Sequence, residues 1–172
     1  SELRVENLDF DDIQGDKILI DILVRMGARL EIEKGTIIIK KSALHGVKID
    51  VNPCIDALPI LAVIGCFAEG TTELVNGTIC RQKECDRITV ICQELRKMGA
   101  RIEETRDGCI VWRSDLHGAE LFSHYDHRIA LSLAVAALGA SSPSTVDSDC
   151  VAKTYPSFIS DFQSVGVAYE YR

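Results

Sequence analysis

The sequence predicts an α/β domain assembled from repeated units, each with one almost wholly apolar helix at the centre and sheets outside it. Three observations carry this. "RMGARLE" at 25–31 returns as "KMGARIE" at 97–103, a shift of 98 − 26 = 72 residues. The same shift maps "SALHG" at 42–46 onto "SDLHG" at 114–118 and "LAV" at 61–63 onto "LAV" at 133–135. Matched blocks in one register mark a duplicated supersecondary unit. Finally, "IDALPILAVIGCFAEG" at 55–70 and "RIALSLAVAALG" at 128–139 are apolar on nearly every side, as helices buried at the centre of a layered fold must be.

Each element has a local signal. "KILIDILVRMG" carries Ile18, Ile22, Leu23 and Met26 at helical spacing and stops at Gly27, a C-terminal cap. "ARLEIEKGTIIIKK" reads as a hairpin turning at Lys34-Gly35. "HGVKIDV" alternates as a strand does. The apolar helix at 55–70 and the strand "TTELVN" follow. The second copy repeats the order: a helix from about Glu84 to Met98, a hairpin from Ala100 to Trp112, and a strand at "HGAELF". The helix "RIALSLAVAALG" and a strand near Ser144 to Asp147 complete it. "YPSFISDFQSVGVAYEY" then reads as the opening of a third copy, with "SVGVAYE" echoing "RMGARLE". The units are drawn at about 8–76, 77–147 and a partial 148–172. The first opens incomplete, so the chain is expected to be part of something longer.

Composition sets outer bounds. A chain of 172 residues fits one domain with a real core. No apolar run approaches the roughly 18 residues of a membrane span. The opening "SELRVENLDFDD" is acidic and lacks the order of a signal peptide. A net charge of −7 argues against a nucleic-acid or anionic-membrane surface, although a small cationic pocket is compatible with it. The seven cysteines include no C-x-x-C pair, and no His joins them at zinc-ligand spacing. They read as reduced thiols in a cytoplasm-like compartment, with Cys66, Cys92 and Cys109 in apolar surroundings.

The candidate chemistry lies at helix starts. "CRQKECDRI" at 80–88 gathers Arg81, Lys83, Glu84, Asp86 and Arg87, and "HYDHRIAL" sets Asp126, His127 and Arg128 before an apolar helix. Arg87 and Arg128 stand at the end where the helix dipole opposes a cation, unless an anion joins them. Lys153 in "CVAKTYPSF" is a third cation before a helix start. Three such ends brought together would bind phosphate and carboxylate. Asp56 opens the helix of 55–70 either as an N-cap or as a functional carboxylate.

These blocks resemble a known family. "RQKECDRI" is similar to the K-E-[ST]-D-R signature of the 5-enolpyruvylshikimate-3-phosphate synthase family, and "YDHRIAL" to its D-H-R-[IM]-A block. "DCVAKTYPSF" resembles its closing C-x-A-K-T-[FY]-P segment, and "IDALPILAV" its P-D-A-type helix start. The blocks occur in family order across essentially the whole chain. The resemblance implies an inverse α/β barrel of βαβαββ units, with this chain as the C-terminal domain of a two-domain enzyme and the N-terminal domain absent.

It further implies enolpyruvyl transfer from phosphoenolpyruvate to the 5-hydroxyl of shikimate 3-phosphate, with no metal or organic cofactor. By motif, Arg87 and Arg128 would hold the phosphoenolpyruvate carboxylate and Lys153 its phosphate. Lys83 and Asp56 would meet the 5-hydroxyl, with Asp56 as proton acceptor. Glu84 would donate the proton to the methylene carbon.

Cys85 departs from the family's Ser or Thr, and Ile79 stands where some members carry an Asn. His124 and His127 receive no role; His127 orients a carboxylate or caps its helix. Two alternatives stand beside this one. A sister family transfers the same group to UDP-N-acetylglucosamine, but without this motif pairing. The other is a non-catalytic half that needs its partner domain, and the isolated chain is expected to be inactive.

Overall fold

The computed structural model describes residues 2–11 and 15–170. The sequence blocks that repeat also repeat in atomic detail. Helix α1 (Ile18–Arg25) and helix α3 (Arg87–Lys97) both end on a glycine with positive φ, Gly27 at 97° and Gly99 at 86°. In each the chain then turns into a hairpin, β2 (Arg29–Glu33) with β3 (Thr36–Lys40), and β6 (Ile102–Glu104) with β7 (Cys109–Trp112).

The serine of each S-x-L-H-G block pins its hairpin shut. Ser42 Oγ accepts the Arg29 N–H at 2.9 Å and donates to the Lys40 carbonyl; Ser114 does the same with Arg101 and Trp112. The histidine N–H groups bond back to the helix ends, His45 to Met26 and His117 to Met98. The glycine of each block permits a close crossing. A Cβ on Gly46 would stand 2.3 Å from the Thr71 backbone, and one on Gly118 would stand 1.9 Å from the Pro143 carbonyl oxygen. Neither neighbour is a side chain that can swing away. Gly118→Ala is therefore expected to lower the unfolding free energy by about 3 kcal/mol. Urea denaturation checks it, and an unchanged midpoint would contradict this contact.

Strand β1 (Glu2–Val5), which the sequence signals missed, joins the first sheet in the order β1-β3-β2. The second sheet runs β4-β5-β7-β6, with β4 (Lys48–Asp50) parallel to β5 (Thr71–Val75) and the other pairs antiparallel. Strands β8 (Glu120–Leu121) and β9 (Thr145–Val146) form a short parallel pair. Hydrogen bonding thus groups β4, helix α2 (Leu58–Phe67), β5, α3, β6 and β7 as one βαβαββ unit over Lys48–Trp112. The period agrees with the sequence repeat, but its phase differs from boundaries near residues 76 and 147. A repeat can be cut anywhere along its length; only the strand pairing selects the phase.

The apolar helices meet at the centre as expected. Helix α2 packs on helix α4 (His127–Leu138), on α3, and on the inner faces of β5 and β7. Seven of its ten residues are buried. Helix α3 is amphipathic, with Ile88, Ile91, Cys92 and Leu95 facing inward and Gln93, Arg96 and Lys97 outward. All seven cysteines are free, and Cys66, Cys92 and Cys109 lie fully buried. Among the described residues no helix is long and apolar enough to cross a membrane.

Helix α5 (Phe158–Ser164) follows β9 as α3 follows β5, closed by Gly166 at φ 89° and by the same pair of backbone bonds that cap α1 and α3. In the phase set by strand pairing it is the second helix of the unit that β8 begins, not the opening of a third copy. Tyr171, the last residue of that stretch, lies outside the described residues.

The two sheets differ in cover. By ladder register Leu3 and Val5 correspond to Thr72 and Leu74, since Glu2 pairs with Lys40 as Thr71 pairs with Trp112. Thr72 and Leu74 are 0% and 1% exposed beneath α2, whereas Leu3 and Val5 are 46% and 36% exposed.

Candidate active site

The charged stretch at 80–88 serves two purposes. Arg81 and Asp86 are structural. Asp86 caps α3 by accepting from the Thr89 N–H, and Arg81 bonds Asp86 at 2.8 Å, the Thr89 hydroxyl and the carbonyls of Thr105 and Arg106. Helix α3 therefore starts at Arg87 rather than near Glu84, and Lys83 and Glu84 are left on the approach to it.

Arg87 is the hub. Its side chain is 1% exposed and touches three carboxylates from three segments. Nε donates to Asp126 Oδ2 at 2.7 Å, Nη1 to Asp56 Oδ1 at 2.6 Å, and Nη2 to Glu84 Oε2 at 2.7 Å. These anions explain how a cation is held at a helix N-terminus against the dipole. Burial alone would lower the Arg87 pKa, but its bonds to Asp126 and Asp56 raise it above the ordinary value. Asp126 is fully buried and also caps α4, accepting from the Arg128 and Ile129 N–H groups. One carboxylate thereby orients both the helix start and the hub.

Asp56 is not a helix cap. Pro59 sits in the first turn of α2, where a missing N–H costs nothing, and the chain enters through a 3₁₀ turn at Asn52–Ala57; the capping position falls to Ala57. The Asp56 carboxylate instead meets Arg87, Arg128 Nη2 at 3.3 Å and Lys83 Nζ at 3.5 Å. Burial pushes its pKa up, yet Arg128, then Arg87 and Lys83, outweigh burial and hold it below the ordinary 3.8. The cluster sets three cations, Lys83, Arg87 and Arg128, among three carboxylates, Asp56, Glu84 and Asp126, with Asp16 a fourth at 3.9 Å from Arg128. Beside Asp56 and Arg128 a cavity of about 340 Å³ opens toward Gly15, Asp16 and Pro53. A second cavity, lined by Phe67 and Gly139, sits at the opposite ends of α2 and α4, away from this chemistry.

Five of the six residues singled out by sequence thus converge: Asp56, Lys83, Glu84, Arg87 and Arg128. Lys153 does not touch them. It ends the 3₁₀ turn Asp149–Lys153, is exposed, and has no ion pair among the described residues. Its segment does pack on the first turn of α4, through Val151 against Ala130. Asp126 is the member missed as a site residue. Its signal was available in the repeat, where the equivalent position is the apolar Cys54 (126 − 72 = 54). His127 opens α4 with no side-chain partner among the described residues, so neither role foreseen for it appears. Ile79 is 54% exposed. No group of three or more His, Cys, Asp or Glu among the described residues is arranged to hold a metal.

Cys85 Sγ lies 3.7 Å from Asp126 Oδ2. Burial first, then the Asp126 charge, push this thiol from 9.0 up to about 12. At pH 8 it should hold roughly a thousandfold less thiolate than an ordinary cysteine and resist alkylation accordingly. Peptide mapping after iodoacetamide treatment of the folded protein checks this; rapid labelling of Cys85 would contradict it.

Comparison with known proteins agrees with this geometry. The family model described as EPSP synthase (3-phosphoshikimate 1-carboxyvinyltransferase) matches residues 1–162. The chain belongs to the EPSP synthase family. A relative from Chlamydia abortus named 3-phosphoshikimate 1-carboxyvinyltransferase is 50% identical over 162 residues, covering 94% of this chain and 36% of the relative. One of the same name from Ruminiclostridium cellulolyticum is 47% identical, covering 96% of this chain and 39% of the relative. The chain therefore spans well under half the length of the curated relatives it matches.

Among solved structures, an EPSP synthase from Acinetobacter baumannii superposes with a TM-score of 0.88 at 32% identity, over 98% of this chain and 42% of that one. The enolpyruvyl transferase NikO from Streptomyces tendae shares the fold, with a TM-score of 0.78 at 22% identity over 98% of this chain and 39% of that one. The EPSP synthase fold thus accounts for the repeated sheets and central helices described above.

Proposed function

We propose that this chain is the C-terminal domain of a two-domain enzyme that transfers the enolpyruvyl group of phosphoenolpyruvate to the 5-hydroxyl of shikimate 3-phosphate, releasing phosphate. The observation that carries the reading is the convergence on Arg87 of carboxylates from the K-E-C-D-R block, the D-H-R-I-A block and the start of α2. The relatives' name favours shikimate 3-phosphate over a UDP-amino sugar as acceptor. Two domains are supported by the relatives' length and by the uncovered face of the first sheet. Leu3 and Val5 hold the place that α2 covers in the second sheet, so an apolar helix from outside this sequence suits them. Seven free cysteines suit a reducing compartment, which we take to be the cytoplasm.

The chemistry assigns each group a role. Arg87 and Arg128 hold the flat carboxylate of phosphoenolpyruvate, and Lys153 its phosphate. Nη2 of Arg87 donates to Glu84. An incoming carboxylate replaces it there, and the displaced Glu84, no longer paired with Arg87, takes up a proton from solvent and delivers it to the methylene carbon. The adjacent carbon becomes oxocarbenium-like and is attacked by the 5-hydroxyl oxygen, whose proton passes to Asp56 while Lys83 steadies that oxygen. Asp56, kept anionic by its three cations, is in the form that accepts. The tetrahedral adduct then loses phosphate, and Glu84, left as a carboxylate, takes a proton back from the methyl group to give the enolpyruvyl ether. No step calls for a metal or an organic cofactor.

Acceptor choice tests the reading. The chain, extended by its native upstream sequence, is assayed for phosphate release from phosphoenolpyruvate with each acceptor in turn. Release with shikimate 3-phosphate alone is expected. Release with UDP-N-acetylglucosamine instead would move the protein to the sister transferases.

A further inference from the structure

The turn that presents Asp126 is built differently from its counterpart in the first copy. His124 and Tyr125 both adopt positive φ, 53° and 62°, a conformation that residues other than glycine rarely take. In the first copy the same positions are Asn52 and Pro53 (124 − 72 = 52; 125 − 72 = 53), which lie in a 3₁₀ turn without positive φ. The fold alone does not demand the strained form.

Polar anchors hold it. Glu94 lies two turns along α3 from Arg87, and its carboxylate is 2% exposed. It accepts the Phe122 N–H at 3.0 Å, two bonds from Lys97 at 2.7 Å, and faces His124 Nε2 at 3.5 Å. Asp147 receives both the N–H and the hydroxyl of Ser123, and the Ser123 hydroxyl oxygen accepts the Tyr125 N–H. In the first copy the residues matching Glu94, Ser123 and Asp126 are Ile22, Val51 and Cys54, all buried and apolar (94 − 72 = 22; 123 − 72 = 51). Three positions that pack in the first copy are polar here, and all three bear on one strained turn: Ser123 within it, Asp126 at its end and Glu94 from α3.

We propose that Glu94 is a positioning residue for the phosphoenolpyruvate carboxylate site: it fixes the strained 122–125 turn, so that Asp126 holds the Arg87 guanidinium in place. Helix α3 grips the turn at both ends, through Glu94 at Phe122 and Arg87 at Asp126. The proposal rests on the reading of Arg87 as the carboxylate-binding group.

The test uses the two-domain protein with Glu94→Ile, the residue the first copy tolerates here, and Glu94→Gln, which keeps an acceptor for the Phe122 N–H. Glu94→Ile should raise KM for phosphoenolpyruvate about tenfold, the loss expected for one hydrogen bond to a charged acceptor, and leave KM for shikimate 3-phosphate unchanged. It should lower the melting temperature by about 2–4 °C, because the Phe122 N–H and Lys97 lose their acceptor. Glu94→Gln should restore most of the affinity. Amide hydrogen exchange supplies a readout independent of turnover: Glu94→Ile should speed exchange at residues 122–126 and leave α2 and the second sheet alone. Unaltered exchange there would overturn the proposal, as would an equal rise in the KM values of both substrates. Faster exchange in a protein whose wild type does not consume phosphoenolpyruvate would keep the positioning role and reject only the functional reading.

Discussion

Replacing Arg87 by Met is expected to destabilise the protein by about 3–5 kcal/mol at neutral pH, the range for breaking one partner out of a buried ion pair. The loss comes from what remains. Asp126 is fully buried, and Asp56 and Glu84 converge on the same vacated point. The pH dependence has a definite sign. Asp56 is held below 3.8 in the folded protein, so its stabilising contribution is complete above the unfolded value and disappears as pH falls through the lower folded one. The gap between wild type and Arg87→Met should therefore narrow below about pH 4. Urea titrations at several pH values check this; a constant gap down to acid pH would show that the guanidinium acts by packing rather than by charge.

Glu84→Gln in the two-domain protein is expected to lower kcat by about 10²–10⁴-fold, the usual span for removing a general acid. Glutamine keeps an acceptor for Arg87, so stability should change little; the Glu84 side chain is 47% exposed. The tetrahedral adduct should also accumulate correspondingly more slowly, because each molecule of it requires one proton delivered to the methylene carbon. Steady-state kinetics and mass spectrometry of the quenched adduct check both expectations. A variant that retains wild-type kcat would remove Glu84 from the proton-donor role.

Local signals made much of the fold legible, because they were strong and doubled. Gly27, Gly99 and the Lys34-Gly35 turn each encode a contact made within a few residues, and the S-x-L-H-G blocks, whose contacts reach further, were legible because they recur at the same shift. What stayed hidden depends on partners far along the chain. Strand β1 is a short, exposed run followed by polar residues, and it is a strand because β3 offers an edge to it. The phase of the repeat was invisible because pairing of β5 with β7 decides it.

The site divided in the same way. Residue types and helix-start positions pointed to Lys83, Glu84, Arg87 and Arg128, but the Arg87–Asp126 bond spans 39 residues and no local pattern predicts it. Asp56 was ambiguous between cap and site carboxylate until the 3₁₀ turn before α2 took it off the capping position. Arg81 lay amid the same charges as Arg87, and only its bonds to Asp86 and the 105–106 carbonyls separate structure from chemistry.

The most direct test of the central claim compares phosphate release by this 172-residue chain with release by the chain extended by its native upstream sequence. Both receive phosphoenolpyruvate and shikimate 3-phosphate. The half-site account predicts turnover by the extended protein and none by the chain alone, because the groups that orient the second substrate are missing. Full activity in the isolated chain would contradict the half-site. No activity in either would contradict the assignment of Arg87, Glu84 and Asp56 to enolpyruvyl transfer.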